Sequence, residues 1–169
     1  MFLSERTSRA LDILVGGFFN LNRTTDRMVS VMQNKWSMPV AADIIHHNLA
    51  HIWPLMADIV SGFKDEYNLT TVYPETHKDD RSYDNLFDMM DVMLREVGGM
   101  YDMIKQAYDI AVEEHDFNAM VMLQGLMEKM TKLIGQVITL RDKAEQMPEN
   151  YDTYDFHVKD WGIVGVDLA

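Results

Sequence analysis

The chain has 169 residues and no cysteine, and its 27 acidic residues outnumber 15 basic ones to give a formal net charge of −12. This length suits one domain with its own hydrophobic core, and the acidic charge argues against direct binding to nucleic-acid phosphates. The lack of cysteine excludes disulfides and thiolate metal sites and fits a cytoplasmic protein, and no apolar segment is long enough to span a membrane.

The first half of the sequence predicts two amphipathic helices joined by a tight turn. Apolar residues recur at helical period over residues 4–34 and again over residues 39–64. Pro54 lacks a backbone N–H, so we expect a kink in the second helix beside His51. The predicted core stripe of the second helix is Ile45, Leu49, Ile52, Met56, Ile59 and Phe63.

The second half predicts a long connection, two further helices and a tail. Residues 65–81 show no period and form a crossover loop, whereas residues 82–115 and 117–146 carry complete heptad series. The glycine pair at 98–99 interrupts the third helix, where we expect a close helix approach or a bend. Aromatic and apolar residues in the segment 147–169 predict a tail that docks on the bundle. The fold class is therefore all-α, an up-down four-helix bundle with one long crossover and a C-terminal extension.

A polar layer is predicted between the first two helices. Counting outward from their turn, Thr25 lies level with Asn48, and Asn22 lies level with His51. The layer is either a hydrogen-bonded cluster that fixes register or the remainder of a metal site. On the second interpretation the candidate metal ligands are His51 and Asn48.

Two other side chains are weaker candidates for a surface cation. His47, beside His46, points away from the apolar face of the second helix and is either solvated or a surface ligand. Glu114 lies in the acidic end of the third helix, which is either a solvated terminus or a cation site, because carboxylates there oppose the helix dipole.

The helix junction in the second half resembles that of ferritins. The segment YDIAVEEHDFNA, residues 108–119, is followed by Met122-Leu123-Gln124 and is similar to the ferritin pattern DLAIEEKDYAT…FLQ. His51 resembles the histidine of the ferritin second-helix Glu-x-x-His, and the crossover lies where ferritins have theirs. The resemblance, over about residues 5–146, implies a ferritin-like fold, a homo-oligomer, and iron or another divalent metal as the bound ion.

The ferritin di-iron positions map mostly onto other residue types. The second-helix pair maps to Asn48 and His51, the third-helix glutamate to Val97, and the fourth-helix pair to Met130 and Leu133. The polar residues near the first-helix position are Asn20, Asn22 and Thr25. Such a centre needs carboxylate oxygens, so ferroxidase activity is not expected, although the question of an enzyme stays open.

Three functions are compatible with the sequence. The first is a cytoplasmic, homo-oligomeric, ferritin-like protein in metal or iron handling, with an incomplete or vestigial di-metal centre. The alternative is a metal-free helical-bundle module for binding or structure that self-associates. The third is an intact metal oxidase with an unusual ligand set. None of them calls for nucleic acid or a membrane as a partner.

Overall fold

In the computed structural model, which describes residues 2–168, the chain is an all-helical bundle built on four long helical arms. The first arm is α1 (Glu5–Asn34), and the second contains α2 (Pro39–Ile45), a π-helical turn (His46–Ala50) and α3 (Ile52–Asp65). The last two arms are α4 (Leu86–Glu113) and α5 (Phe117–Gln146), and they precede α6 (Tyr151–His157) and a 3₁₀ turn (Val158–Asp160). The predicted four-helix architecture is confirmed: α1 packs along α3 and α4, and α4 pairs with α5. No helix among the described residues is both long and apolar enough to cross a membrane.

The helix starts follow from local capping. The Ser4 hydroxyl accepts a hydrogen bond from the backbone N–H of Thr7, at 3.0 Å, and so satisfies one free donor of the first turn of α1. The Asn85 side chain does the same for Asp88, at 2.9 Å, and α4 therefore begins at Leu86, four residues later than the sequence indicated.

The buried face of the second arm differs from its predicted stripe. Up to Leu49 the prediction holds, but beyond the π turn Ile59 and Phe63 are only half-buried. The fully buried positions there include Trp53, Val60 and Lys64. A π turn holds one more residue than an α turn, so beyond it each core-facing position shifts towards the next residue in the chain, as from Ile59 to Val60 and from Phe63 to Lys64. The heptad prediction assumed an uninterrupted α-helix, so beyond the turn it is right for Ile52 and Met56, which are buried, and wrong for Ile59 and Phe63.

The glycine pair in α4 does not mark a close helix approach. A Cβ atom built at Gly98 or Gly99 would meet nothing within 4 Å, so no neighbour in the described chain requires glycine there. A close contact does exist on α1, where a Cβ atom at Gly16 would lie 2.8 Å from Cγ of Pro74 in the crossover. The close approach of α1 to α4 is at Gly17, where a Cβ atom would lie 2.8 Å from Sδ of Met100.

The crossover runs from residue 66 to residue 85 and lies along α1. The backbone N–H of Val72 donates to Asp12 at 3.2 Å, and that of His77 donates to Asn20 at 3.1 Å. Further along, Arg27 donates to the carbonyl of Arg81 at 2.9 Å. Side chains of α1 thus satisfy the backbone of a segment that has no secondary structure of its own.

The segment after α5 packs against the bundle. The buried Tyr154 hydroxyl donates to the carbonyl of Leu140 at 2.8 Å, and Ile163 is 4% exposed. Gln136 of α5 accepts from the N–H of Gly165 at 2.8 Å and donates to its carbonyl at 2.7 Å. The sequence predicted no helix here, whereas α6 begins after Asn150, whose side chain caps it.

Candidate metal centre

The core offers no ligands at the positions where a ferritin-type centre was mapped. Val97, Met130 and Leu133 are fully buried among apolar side chains. Within residues 2–168 the buried polar or charged side chains are Thr7, Thr24, Thr25 and Lys64. None of these is a carboxylate, and a di-iron centre of this type needs carboxylates that project inward. The residues present therefore do not fit a di-iron group.

The buried lysine makes the interior still less suited to a cation. Lys64 Nζ lies 2.6 Å from Asp12 Oδ1, and the lysine side chain is 2% exposed. Its ammonium group already neutralises the neighbouring carboxylate, so a metal cation beside it would meet a like charge instead of a free ligand. The pair was not predicted from the sequence, because Lys64 directly follows Phe63, the last residue of the predicted apolar stripe.

Asn22 and Thr25, the polar residues of α1, have partners other than those predicted. Asn22 Nδ2 donates to the carbonyl of Ala50 at 2.9 Å. That carbonyl has no helical donor four residues later, because the residue there is Pro54. The buried indole N–H of Trp53 donates to the Thr25 hydroxyl at 3.0 Å. The polar layer thus satisfies the backbone and an indole instead of surrounding an ion.

Asn48, a predicted ligand, contacts the C-terminal segment. Its amide donates to the carbonyl of Ile163 at 2.8 Å. The backbone carbonyl of Asn48 also lies so close to Gly165 that a Cβ atom there would approach it to 2.6 Å. The structure does not group Asn48 with histidines, and its half-buried side chain serves the docking of the tail.

His51, the other predicted ligand, lies at the surface with His46 and His47. One ring nitrogen of each of the three histidines lies within 4.8 Å of the others. His47 and His51 are exposed and His46 is half-buried, so the group is open to solvent. The prediction placed His51 in the polar layer of the interior, and this was wrong because the π turn rotates it outward. His46, treated only as a neighbour of His47, is part of the same group.

The π turn is what assembles the histidines. In an α-helix, side chains three and four residues apart are neighbours, so His47 and His51 would meet but His46 and His51 would not. Here the N–H of His51 donates to the carbonyl of His46 at 3.1 Å, the five-residue step of a π-helix. The rings of His46 and His51 accordingly lie 4.2 Å apart, centroid to centroid. The sequence signal that could have revealed this was Pro54, three residues after His51.

Two carboxylates flank the group. His47 Nε2 lies 3.2 Å from Asp43 Oδ1, one α-helical turn earlier, and His46 Nδ1 lies 3.5 Å from Asp26 Oδ1 on α1. His46 Nδ1 is itself buried and has no hydrogen-bond partner among the described residues. These contacts leave His46 Nε2 and His47 Nδ1 unengaged by a carboxylate.

Glu114, the second surface candidate, has partners of its own away from the histidines. It lies 3.6 Å from Arg6 Nη1, and Glu113 binds the same guanidinium group. An arginine at this position supplies the positive charge that a cation would otherwise provide. Glu114 is not among the three side chains that the structure groups as metal ligands.

Comparisons with known proteins show the fold. A solved structure described as a humanized archaeal ferritin superposes with a TM-score of 0.86 at 14% sequence identity, covering 94% of this chain and 95% of that one. An open-pore ferritin from the hyperthermophilic archaeon Archaeoglobus fulgidus gives a TM-score of 0.87 at 13% identity, covering 94% and 97% of the two chains. No protein-family model and no curated protein matches the sequence. The chain therefore has a ferritin-like fold, although its sequence is only 13–14% identical to those of the two structures.

Proposed function

We propose that this protein is a cytoplasmic, self-associating member of the ferritin fold that handles metal ions without an internal oxidising centre. In this proposal the di-metal centre of the bundle is vestigial. Iron, or another divalent ion, is the cargo and not a resident cofactor of the core. The fold supports the metal-handling part, because both similar structures are described as ferritins.

One observation supports the proposal that the internal di-metal centre is vestigial. The mapped ligand positions Val97, Met130 and Leu133 are apolar and have 0% exposure, and they pack in one continuous core. A divalent ion placed there would lose its hydration without gaining any ligand of opposite charge, a cost of many kcal/mol. The packed core thus favours a bundle whose interior is purely structural.

An aerobic iron(II) titration tests the proposal. We expect no oxygen uptake above that of iron in buffer alone and no fast rise in ferric absorbance, because the buried polar side chains of residues 2–168 include no carboxylate that could bind two irons together. A ferritin with an intact centre, run under the same conditions, is the positive control. Stoichiometric oxygen consumption by the wild-type protein would overturn the vestigial centre.

Self-association is supported by an exposed apolar surface on α1 and the crossover. Ile13, Val72 and Tyr73 are each more than half exposed, and Val72 is bonded to Asp12, next to Ile13 in the chain. Burial of such side chains against a second copy would remove apolar area from water. We expect Ile13→Asp to lower the mass measured by analytical ultracentrifugation, while Ile138→Asp on α5 leaves it unchanged. A monomeric wild-type protein would contradict self-association.

The alternative, a metal-free structural module, is favoured by the same closed core. The two functions separate in one measurement, the metal content of purified protein after exposure to excess ions and gel filtration. Retention of less than one ion per chain by a correctly assembled protein would favour the metal-free module.

A further inference from the structure

We infer that His46, His47 and His51 bind one divalent ion of the late first transition row, Zn²⁺, Ni²⁺ or Cu²⁺, at the surface of the π turn. The inference deepens the proposed function, on which its biological role rests, by placing the ion outside the core. The geometry that carries it is independent of iron chemistry and of the ferritin fold.

The helix geometry provides three converging donors on one short segment. The five-residue hydrogen bond from His51 N–H to the carbonyl of His46 places His51 over the gap between His46 and His47, one turn later. The three ring centroids lie 4.2 to 5.2 Å apart. Because all three histidines lie within six consecutive residues of one helical arm, binding an ion requires no movement of one helix against another.

The separation of the nitrogens suits an ion after a small adjustment. Two nitrogens bound to the same ion at about 2.1 Å lie roughly 3.4 Å apart when the geometry is tetrahedral. The three nitrogens here lie within 4.8 Å of one another, so no pair has to close by more than about 1.4 Å. Rotation about the side-chain bonds of the exposed His47 and His51 can supply this movement without disturbing the core.

The donor set selects the class of ion. Neutral imidazole nitrogens suit Zn²⁺, Cu²⁺ and Ni²⁺, whereas Mg²⁺ and Ca²⁺ require several oxygen ligands. For a given nitrogen site, affinity rises from Mn²⁺ and Fe²⁺ towards Cu²⁺. Three protein ligands leave at least one coordination position open to water, as in zinc sites that exchange their fourth ligand.

The flanking carboxylates fit the surroundings of bound histidines. A metal-bound imidazole almost always directs its other ring nitrogen to a carboxylate, a carbonyl or water. Asp43 already occupies that position for His47, at 3.2 Å from Nε2. His46 Nδ1, which is buried and unpartnered among the described residues, faces Asp26 at 3.5 Å and would donate to it once Nε2 is bound. Both carboxylates also place negative charge close to the ion.

Isothermal titration calorimetry of the full chain with Zn²⁺ tests the site, with Ni²⁺ and Mg²⁺ as further probes. The wild-type protein should bind one Zn²⁺ per chain, bind Ni²⁺ at the same stoichiometry, and show no heat with Mg²⁺. His51→Ala should weaken Zn²⁺ binding by more than the roughly 10- to 100-fold typical of losing an outer partner of a metal ligand. His157→Ala, which removes an exposed histidine on α6 outside the group, should leave the dissociation constant unchanged.

Two measurements separate the loss of ligands from the loss of the fold. Circular dichroism establishes that each variant remains folded, and His47→Ala provides a second removal at an exposed position that the core does not use. Zn²⁺ binding that survives both His51→Ala and His47→Ala, or that His157→Ala weakens equally, would overturn the site. This outcome differs from the one that would overturn the proposal of a vestigial internal centre, namely oxygen uptake by the wild-type protein.

Discussion

Substitution of Gly165 by alanine tests whether the C-terminal tail is held by one close backbone contact. Gly165 has a φ of +71°, a left-handed conformation that costs an L-residue about 1–2 kcal/mol. A Cβ atom there would also lie 2.6 Å from the backbone carbonyl oxygen of Asn48. Because that atom belongs to a helix backbone, the tail must move instead, at an overpacking cost of about 1–3 kcal/mol.

The chain contains a matched control. Gly162 has the same φ of +71°, but a Cβ atom there would meet nothing within 4 Å. Gly162→Ala therefore carries only the conformational cost, whereas Gly165→Ala carries the contact as well. We expect the equilibrium constant for docking of the tail to be lower in Gly165→Ala than in Gly162→Ala by a factor of roughly 5 to 150, the equivalent of about 1–3 kcal/mol.

Amide hydrogen exchange measures this equilibrium directly. The N–H groups of Val164 and Gly165 both donate to the side chain of Gln136, at 3.0 and 2.8 Å, so their protection reports docking of the tail. Protection of Val164 should fall strongly in Gly165→Ala and moderately in Gly162→Ala. Equal losses in the two variants would refute the argument from the Asn48 contact, and unchanged protection in Gly165→Ala would refute docking through this glycine altogether.

Three further substitutions test the packing of the bundle. Thr25→Val leaves the buried indole N–H of Trp53 without its acceptor, and the free energy of unfolding in urea should fall by about 1–3 kcal/mol. Gly98→Ala should raise it by up to about 1 kcal/mol, since alanine favours the helix and meets no neighbour; a loss of assembled mass would instead show that another copy packs there. Burial raises the pKa of Tyr83 to about 12, so its contribution to stability is complete below pH 10 and is lost as the pH rises from 10 towards 12. Tyr83→Phe should therefore show a smaller fall in melting temperature over that pH range, and an equal fall would contradict this.

The architecture was predictable because it depends on many residues that agree. The heptads of α4 and α5 place an apolar residue at every core position, and Met90, Met93, Leu126 and Leu133 are all buried as the spacing predicts. A single wrong assignment would not have altered the number of helices or the long crossover between the second and third arms. The periodicity of a long helix is averaged over many residues, so a single residue that departs from it does not change the assignment of the helix.

The candidate site was less predictable because it depends on one local exception. Alignment of α1 with an ideal second helix placed Thr25 opposite Asn48. In the structure Thr25 is hydrogen-bonded to Trp53, and Asn48 is hydrogen-bonded to Ile163. Pro54 indicated an irregularity in the second helix. A proline predicts a kink, however, without specifying whether the helix bends, breaks or gains a residue. The tail partner of Asn48 lies 115 residues away and has no local signal.

The π turn explains why His51 lies with the surface histidines and not in the interior. One additional residue in the turn places His51 in solvent and buries Trp53, which the predicted stripe did not include. His51, which the ferritin-type pattern predicts to face inward, is therefore exposed and lies beside His46. An internal centre that used His51 would therefore require more than carboxylates at Val97 and Met130, because His51 would also have to face the interior. The group of three histidines is thus a consequence of the π turn, whereas the closed core follows from the apolar residues at Val97, Met130 and Leu133 on α4 and α5.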